Sequence, residues 1–454
     1  MISTTSPRAS AIRRHPYLLM FIVALAVRLA LILATRSYIF PLMFLPAPFS
    51  LGDPHFAFGN EIGSIAHSIA TGHGFGSPFG PITGPTAWIG PIYPYLCAAV
   101  FKIFGIFTPA SAFVLLFLNS IFSAWTCVPL YKLCELTLGR VGALWTGWTW
   151  ALLPYFWIWP TTVIWETCLV ALVLTYLFYM TLRMADPVGA YGKNGWLKFG
   201  LLWGFALLTN PVLLTFFPVS FLWLAYRRWR QKLGFLRPMA VALVTCALVI
   251  SPWLVRNRVV FGHFIFIRSN FGFEFHLGNY HFSNGFGWAG KHPSENKAER
   301  ELYVRLGEVA YIAAKRGEAI AFVRQYPQEF FALTGKRIRA FWSGEMLIYG
   351  REPMLPWVYP VLSTMTLLGL LAAFRNRLRG AGLFFGLILL YPLPFYIAFP
   401  QTRNRHPIEP EMLALSIYFL VAVFREFRGQ REELRISTLP ATNAQIVEAE
   451  PTLA

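Results

Sequence analysis

The chain has 454 residues, 56% of them hydrophobic and only 13% charged, with a mean hydropathy of +0.51. Soluble domains are about 45–50% apolar and about a quarter charged, and the excess here comes in long runs, which excludes a soluble enzyme, a disordered chain and a secreted disulfide scaffold. Lys and Arg number 39 against 21 Asp and Glu, a net +18; in a multi-pass membrane chain this is an orientation signal before it is a nucleic-acid footprint.

Arg8, Arg13 and Arg14 precede an apolar stretch from Tyr17 to Ala34 that has no small-residue cleavage site, which reads as an uncleaved first span rather than a signal peptide. Spans need about 20 mostly apolar residues. Candidates follow near 17–35, 110–131, 141–159, 163–183, 197–210, 211–226, 239–255, 355–374, 381–399 and 410–424. The run 91–106 is short and contains Pro94 and Lys102.

Basic clusters at 8–14, 227–237, 375–379 and 425–435 belong on the cytoplasmic side. An even number of spans must then separate successive clusters, which makes 91–106 an outer juxtamembrane helix. The result is an all-α polytopic protein of ten spans with both termini cytoplasmic. Its organisation is an N-terminal membrane core, 1–255, with a first outer loop at 36–109; a large outer loop, 256–353; C-terminal spans, 354–425; and a polar, disordered tail, 426–454. A pattern near 295–342 predicts an amphipathic helical pair lying on the membrane. Cys97, Cys127, Cys134, Cys168 and Cys246 lack metal-type spacing and read as small core residues.

Chemistry gathers on the outer side. Glu61 opens a short helix predicted at 61–71, with Asp53 shortly before it, and Glu166 begins the fourth span. Carboxylates at membrane depth mark function, although an acid at a helix N-terminus also stabilises that helix through its dipole. Gly72, Gly74 and Gly76 and the following PFGPITGPTAWIGPIYPY have neither the preceding strand nor the Gly-Lys-Ser/Thr of a nucleotide loop; they describe a tightly folded lining. Arg256, Arg258 and Arg268 emerge at the start of the large loop among interleaved aromatics, and PQTRNRHPIEP holds Arg403, Arg405, His406 and Glu409 between two apolar spans. Guanidinium groups so placed suit a phosphate. The scattered histidines form no HExxH-type pair. No cofactor is required by these residues, and a divalent metal stays open.

The first-loop acid followed by IAHSIATGHGFGSPF, then PIYPYLCAAVFKIFG, SPWLVRNRVVFG and RNRHPIEP, resembles the GT-C fold membrane glycosyltransferases. The superfamily is that of the protein O-mannosyltransferases and lipid A aminoarabinose transferases (glycosyltransferase family 39). The resemblance covers about residues 10–425 and rests on order and topology as much as on any one motif. It implies a sugar donor on a polyprenyl phosphate, an acceptor lipid, glycan or protein, and a cavity facing the periplasm of a bacterial inner membrane. It also implies a general base in the first outer loop. The matching position is Glu61 or Asp53, where the family usually has an Asp with a second acid nearby. By the same resemblance Glu166 matches an acid at the outer start of a later span, and Arg403, Arg405 and His406 match a basic motif near the donor phosphate; Arg256 and Arg268 are further phosphate candidates by their placement alone.

The residues support that chemistry independently. A carboxylate takes the acceptor's proton, fixed positive charge meets the departing phosphate, and a single displacement inverts the anomeric centre. A transporter or flippase for lipid-linked sugars is the alternative; it predicts charges in mid-span, where Arg28 stands. A non-catalytic membrane scaffold predicts that Glu61 and Glu166 are dispensable.

Overall fold

The computed structural model describes residues 15–39, 58–80, 82–186, 194–281, 283–286, 290–345 and 355–427. Asp53, the basic cluster at 8–14 and the tail beyond 427 lie outside them. The described chain is helical: α1 (Pro16–Thr35), α2 (Glu61–Ala70), α3 (Ile92–Phe104), α4 (Pro109–Trp125), α5 (Cys127–Leu152), α6 (Thr167–Met184), α7 (Asn194–Thr209), α8 (Phe217–Arg230), α9 (Leu236–Phe261), α10 (Phe271–Gly278), α11 (Lys297–Leu306), α12 (Glu308–Gln325), α13 (Pro327–Ser343), α14 (Val358–Arg375), α15 (Ala381–Leu390) and α16 (Glu409–Phe427).

Six helical segments among the described residues are long and apolar enough to cross a membrane, which makes this a multi-pass membrane protein. One of them, Pro109–Leu152, joins α4 to α5 and breaks at Gly139, whose φ of 78° and ψ of 177° are not helical. The predicted boundary between the second and third spans therefore falls at Gly139. Shorter pieces, α7, α8 and α15, occupy other predicted spans. α3 has 13 residues and rises only about 20 Å, short of the bilayer core.

Close packing follows from small residues. In α7, a Cβ on Gly200 or Gly204 would collide with Ala242 or Val249 of α9, so this GLLWG stretch lets the two backbones approach. Arg28, the mid-span charge of α1, is fully buried and donates to the carbonyls of Ala24, Trp150, Ala151 and Phe156 and to Ser123 Oγ. It ties α1 to the C-terminal end of α5, a structural use of charge in an apolar setting.

The segment 295–342 forms three helices rather than the expected pair. Gly307, at φ 75°, separates α11 from α12, and Pro327 starts α13 after Tyr326 closes α12. These helices lock the first and large loops together. Buried Glu308, in the first turn of α12, accepts from Thr86 Oγ1, from Ala87 N at 2.8 Å, from Ser269 Oγ at 2.7 Å and from Tyr303 OH at 2.8 Å. The lining segment of the first loop is thereby pinned beneath the large loop.

Candidate functional site

Glu61 and Glu166 are brought together by a glycine. Gly59 has φ +74°, and a Cβ there would lie 2.5 Å from the carbonyl oxygen of Ile164 and against the Trp165 ring. Only glycine allows both the left-handed backbone and this approach. The first loop thus packs directly on the turn that ends in Glu166, the N-cap position of α6. Both carboxylates are buried, at 7% and 3% exposure, and both line one cavity of about 560 Å³.

Two of the arginines named from sequence reach the same cavity. Arg268 lines it with its Nε anchored 3.2 Å from the Trp88 carbonyl oxygen, and Arg403 lines it with its guanidinium 3.6 Å above the Trp165 ring. Their charges act on Glu166, and that of Arg403 acts on Glu61. Glu166 accepts from Asn210 Nδ2 at 3.3 Å through Oε1, while its buried Oε2 has no partner among the described residues.

Three other candidates are engaged elsewhere. Arg256 donates to the carbonyl oxygens of Thr86, at 2.7 Å, and Phe75, at 2.8 Å, and so holds the first loop. Arg405, 1% exposed, donates to Glu409, Tyr155, Ser363 and the carbonyls of Trp342 and Tyr359. His406 is buried between Glu409 Oε2, 2.9 Å from Nδ1, and Cys168 Sγ, 3.8 Å from Nε2. Neither lines the cavity; the 3₁₀ turns Thr402–Asn404 and His406–Ile408 face Arg403 into it and fold Arg405 and His406 back into the helix bundle.

Sequence reasoning missed Glu274 and His292. His292 Nε2 lies 3.1 Å from Glu61 Oε1. Burial alone would push the Glu61 carboxyl up, but the His292 hydrogen bond and the His292 and Arg403 charges bring it below its ordinary value. Glu274, on α10, accepts from Asn270 Nδ2 at 3.0 Å and shifts the other way; burial dominates, and Arg268, His292 and Arg403 only partly offset it. Within one cavity the two carboxyls are therefore driven apart, as in sites that need an ionised base beside a protonated acid. Among the described residues no three His, Cys, Asp or Glu side chains converge as a metal-ligand set.

Much of the remaining lining is apolar, including Val212, Leu214, Phe266, Phe271, Phe395 and Phe399, with polar side chains such as Asn60, Asn270 and Gln401 among them. Leu214 and Phe271 are 42% and 51% exposed, which opens an oily rim to the surroundings. The arrangement can hold an anion between Arg268 and Arg403, accept a proton at Glu61 and cover an apolar chain.

No protein-family model matches the chain, and no curated protein does. Among solved structures, it is similar to the archaeal oligosaccharyltransferase AglB from Archaeoglobus fulgidus in complex with an inhibitory peptide and a dolichol-phosphate, at a TM-score of 0.49 and 15% identity over 98% of this chain and 53% of that one. It is also similar to the Archaeoglobus fulgidus oligosaccharyltransferase in complex with Zn and sulfate (TM-score 0.47, 14% identity, 91% of this chain and 50% of that one). A third similar structure is ArnT from Cupriavidus metallidurans bound to undecaprenyl phosphate (TM-score 0.41, 13% identity, 87% of this chain and 78% of that one). The chain spans about half the length of the archaeal protein.

Proposed function

We propose that the protein is an inverting glycosyltransferase that moves a hexosyl or pentosyl group from a polyprenyl-phosphate donor to an acceptor hydroxyl. The observation that carries this is the joint lining of one apolar-rimmed cavity by Glu61, Glu166, Arg268 and Arg403. A lipid-linked donor needs both an apolar path for its chain and fixed positive charge for its phosphate, and this cavity offers both.

In this reading Arg268 and Arg403 receive the phosphate and stabilise its charge as the glycosidic bond breaks. Glu61, ionised and oriented by His292, takes the proton of the acceptor hydroxyl as its oxygen attacks the anomeric carbon from the opposite face. The unpartnered Oε2 of Glu166 and the carboxyl of Glu274, which keeps its proton to higher pH, orient sugar or acceptor hydroxyls by hydrogen bonds. Asp53 remains a second candidate for the base. The acceptor class is a lipid, glycan or protein. By the positive-inside rule the cavity faces the periplasm of a bacterial inner membrane, with both termini cytoplasmic. The transporter reading gains nothing from Arg28, whose guanidinium is bound by backbone carbonyls and Ser123.

The test is a transfer assay with purified full-length protein and fluorescent polyprenyl-phosphate sugars, read as release of polyprenyl phosphate and gain of sugar by extracted acceptors. Release that depends on Glu61 supports the proposal. Facilitated transbilayer movement of the intact donor without release would replace it with the transporter reading.

A further inference from the structure

A second hollow, of about 400 Å³, lies at the other end of the bundle. α8 and α15 run between the two sites. The turn Pro211–Thr215 leading into α8 lines the cavity, whereas Tyr226 and Arg227 near the end of α8 line the hollow. Ala381 and Gly382 open α15 at the hollow, and Tyr391, just past its end, lines the cavity.

Arg227, Arg377 and Arg379 line this hollow, and no carboxylate does so among the described residues. Arg379 is fixed from behind by Asp186, 2.6 Å away, and by the Leu182 carbonyl oxygen, 2.7 Å away. Its Nε and that of Arg227 are buried without an acceptor among the described residues. The first turn of α15, capped by Gly380 with no side-chain acceptor, adds the positive end of a helix dipole. Depth is marked by Tyr226 and Trp229, 55% and 61% exposed at the end of an apolar helix, where aromatic residues meet lipid headgroups.

We propose that this hollow is a phosphate-binding site separate from the catalytic cavity, taking the phosphate of an anionic phospholipid headgroup or a free phosphate ion. The guanidinium forks of Arg227 and Arg377 pair with phosphate oxygens, and Trp223 and Tyr226 flank the group.

Native mass spectrometry on the full-length protein in neutral detergent tests this with three probes: dioleoyl phosphatidylglycerol, dioleoyl phosphatidylcholine and inorganic phosphate. The variant is Arg227→Gln/Arg377→Gln, which leaves the Arg379–Asp186 pair intact; a melting curve verifies folding. Should the double variant fail to fold, Arg377→Gln alone, at an exposed position, serves. Bound phosphatidylglycerol or phosphate is expected to fall about tenfold or more, with phosphatidylcholine unchanged. Phosphatidylglycerol retained against millimolar phosphate identifies the lipid as the source; phosphate binding with no preference between the lipids identifies the free ion. Anion binding that survives in the variant, or its absence in the wild type, overturns the site.

Discussion

His292, from the large loop 256–353, holds Glu61, at the start of a helix in the first loop, through a 3.1 Å contact between Nε2 and Oε1. The direction of that bond follows from the other ring nitrogen. Nδ1 receives the Ser294 backbone N–H at 3.3 Å and lies 2.5 Å from Ser294 Oγ, which itself accepts from Asn60 Nδ2 at 2.8 Å. Nδ1 is therefore the acceptor and Nε2 carries the proton donated to Glu61. The carboxylate is oriented by a residue remote in sequence, and the large loop completes the site.

Replacing Glu61 with Gln keeps the shape and removes the proposed base. Transfer is expected to fall by about a hundred- to ten-thousandfold, with folding retained. Sugar-transfer assays and melting curves measure the two separately. Full activity in this variant moves the base to Asp53.

His292→Ala should leave some activity but alter its pH dependence. In the proposed role Glu61 must be ionised, and His292 keeps its carboxyl below the ordinary value against the opposing effect of burial. Without the imidazole the Glu61 carboxyl rises, so the acidic limb of kcat/KM moves to higher pH. A lower rate with an unmoved limb would reduce His292 to packing.

Arg268 and Arg403 are expected to act on the donor. Truncating either to Ala removes charge-assisted hydrogen bonds worth about 1.5–3 kcal/mol, roughly a ten- to hundredfold rise in KM for the lipid-linked sugar with a smaller effect on the acceptor. For Arg403, Lys restores charge but not stacking on Trp165, so Arg403→Lys should recover only part of the loss.

Arg405→Ala should behave differently from Arg403→Ala. The fully buried Arg405 bridges Glu409, Tyr155 and the ends of α13 and α14. Its loss leaves Glu409 without that charge in the interior, a destabilisation of about 3–5 kcal/mol. The expected result is a lower melting temperature and poor yield rather than a selective defect in donor use.

The contrast explains how much of the site was legible. The apolar helices, the short helix at Glu61 and the acid at the head of α6 follow from hydropathy runs and charge placement, and Arg268 and Arg403 stand out as arginines at the ends of apolar runs. Arg403, Arg405 and His406 look alike in sequence because they share one polar turn; only the phase of two 3₁₀ turns separates the cavity-lining residue from the two buried in the bundle. His292 and Glu274 carried no signal, since one lies in an irregular segment and the other among aromatics that read as a headgroup belt. The three-way split of 295–342 was marked by Gly307 and Pro327, which the amphipathic pattern overrode.

Acidification should weaken the large loop through His276. This residue is buried on α10, and burial together with the nearby Lys315 and Lys291 holds its pKa at about 4, against a partial opposing effect of Glu299. Glu318 lies 3.5 Å from Nδ1. A folded-state pKa below the unfolded value means that the unfolded chain binds the proton more tightly, so stability falls as pH drops from about 6.5 towards 4. His276→Gln should flatten the melting temperature over that window; an unchanged slope would assign the acid sensitivity to other groups.

Orientation is open to a labelling experiment. All five native cysteines are buried, so an impermeant maleimide reports on introduced ones. His73, exposed in the first loop, and Arg377, exposed at the opposite hollow, mark the two ends of the bundle. If the arginines at 375–379 face the cytoplasm as the positive-inside rule requires, intact cells with a permeabilised outer membrane should label His73→Cys and leave Arg377→Cys unlabelled until the inner membrane is broken. The reverse pattern would turn the cavity towards the cytoplasm, where a periplasmic transfer reaction has no access to it.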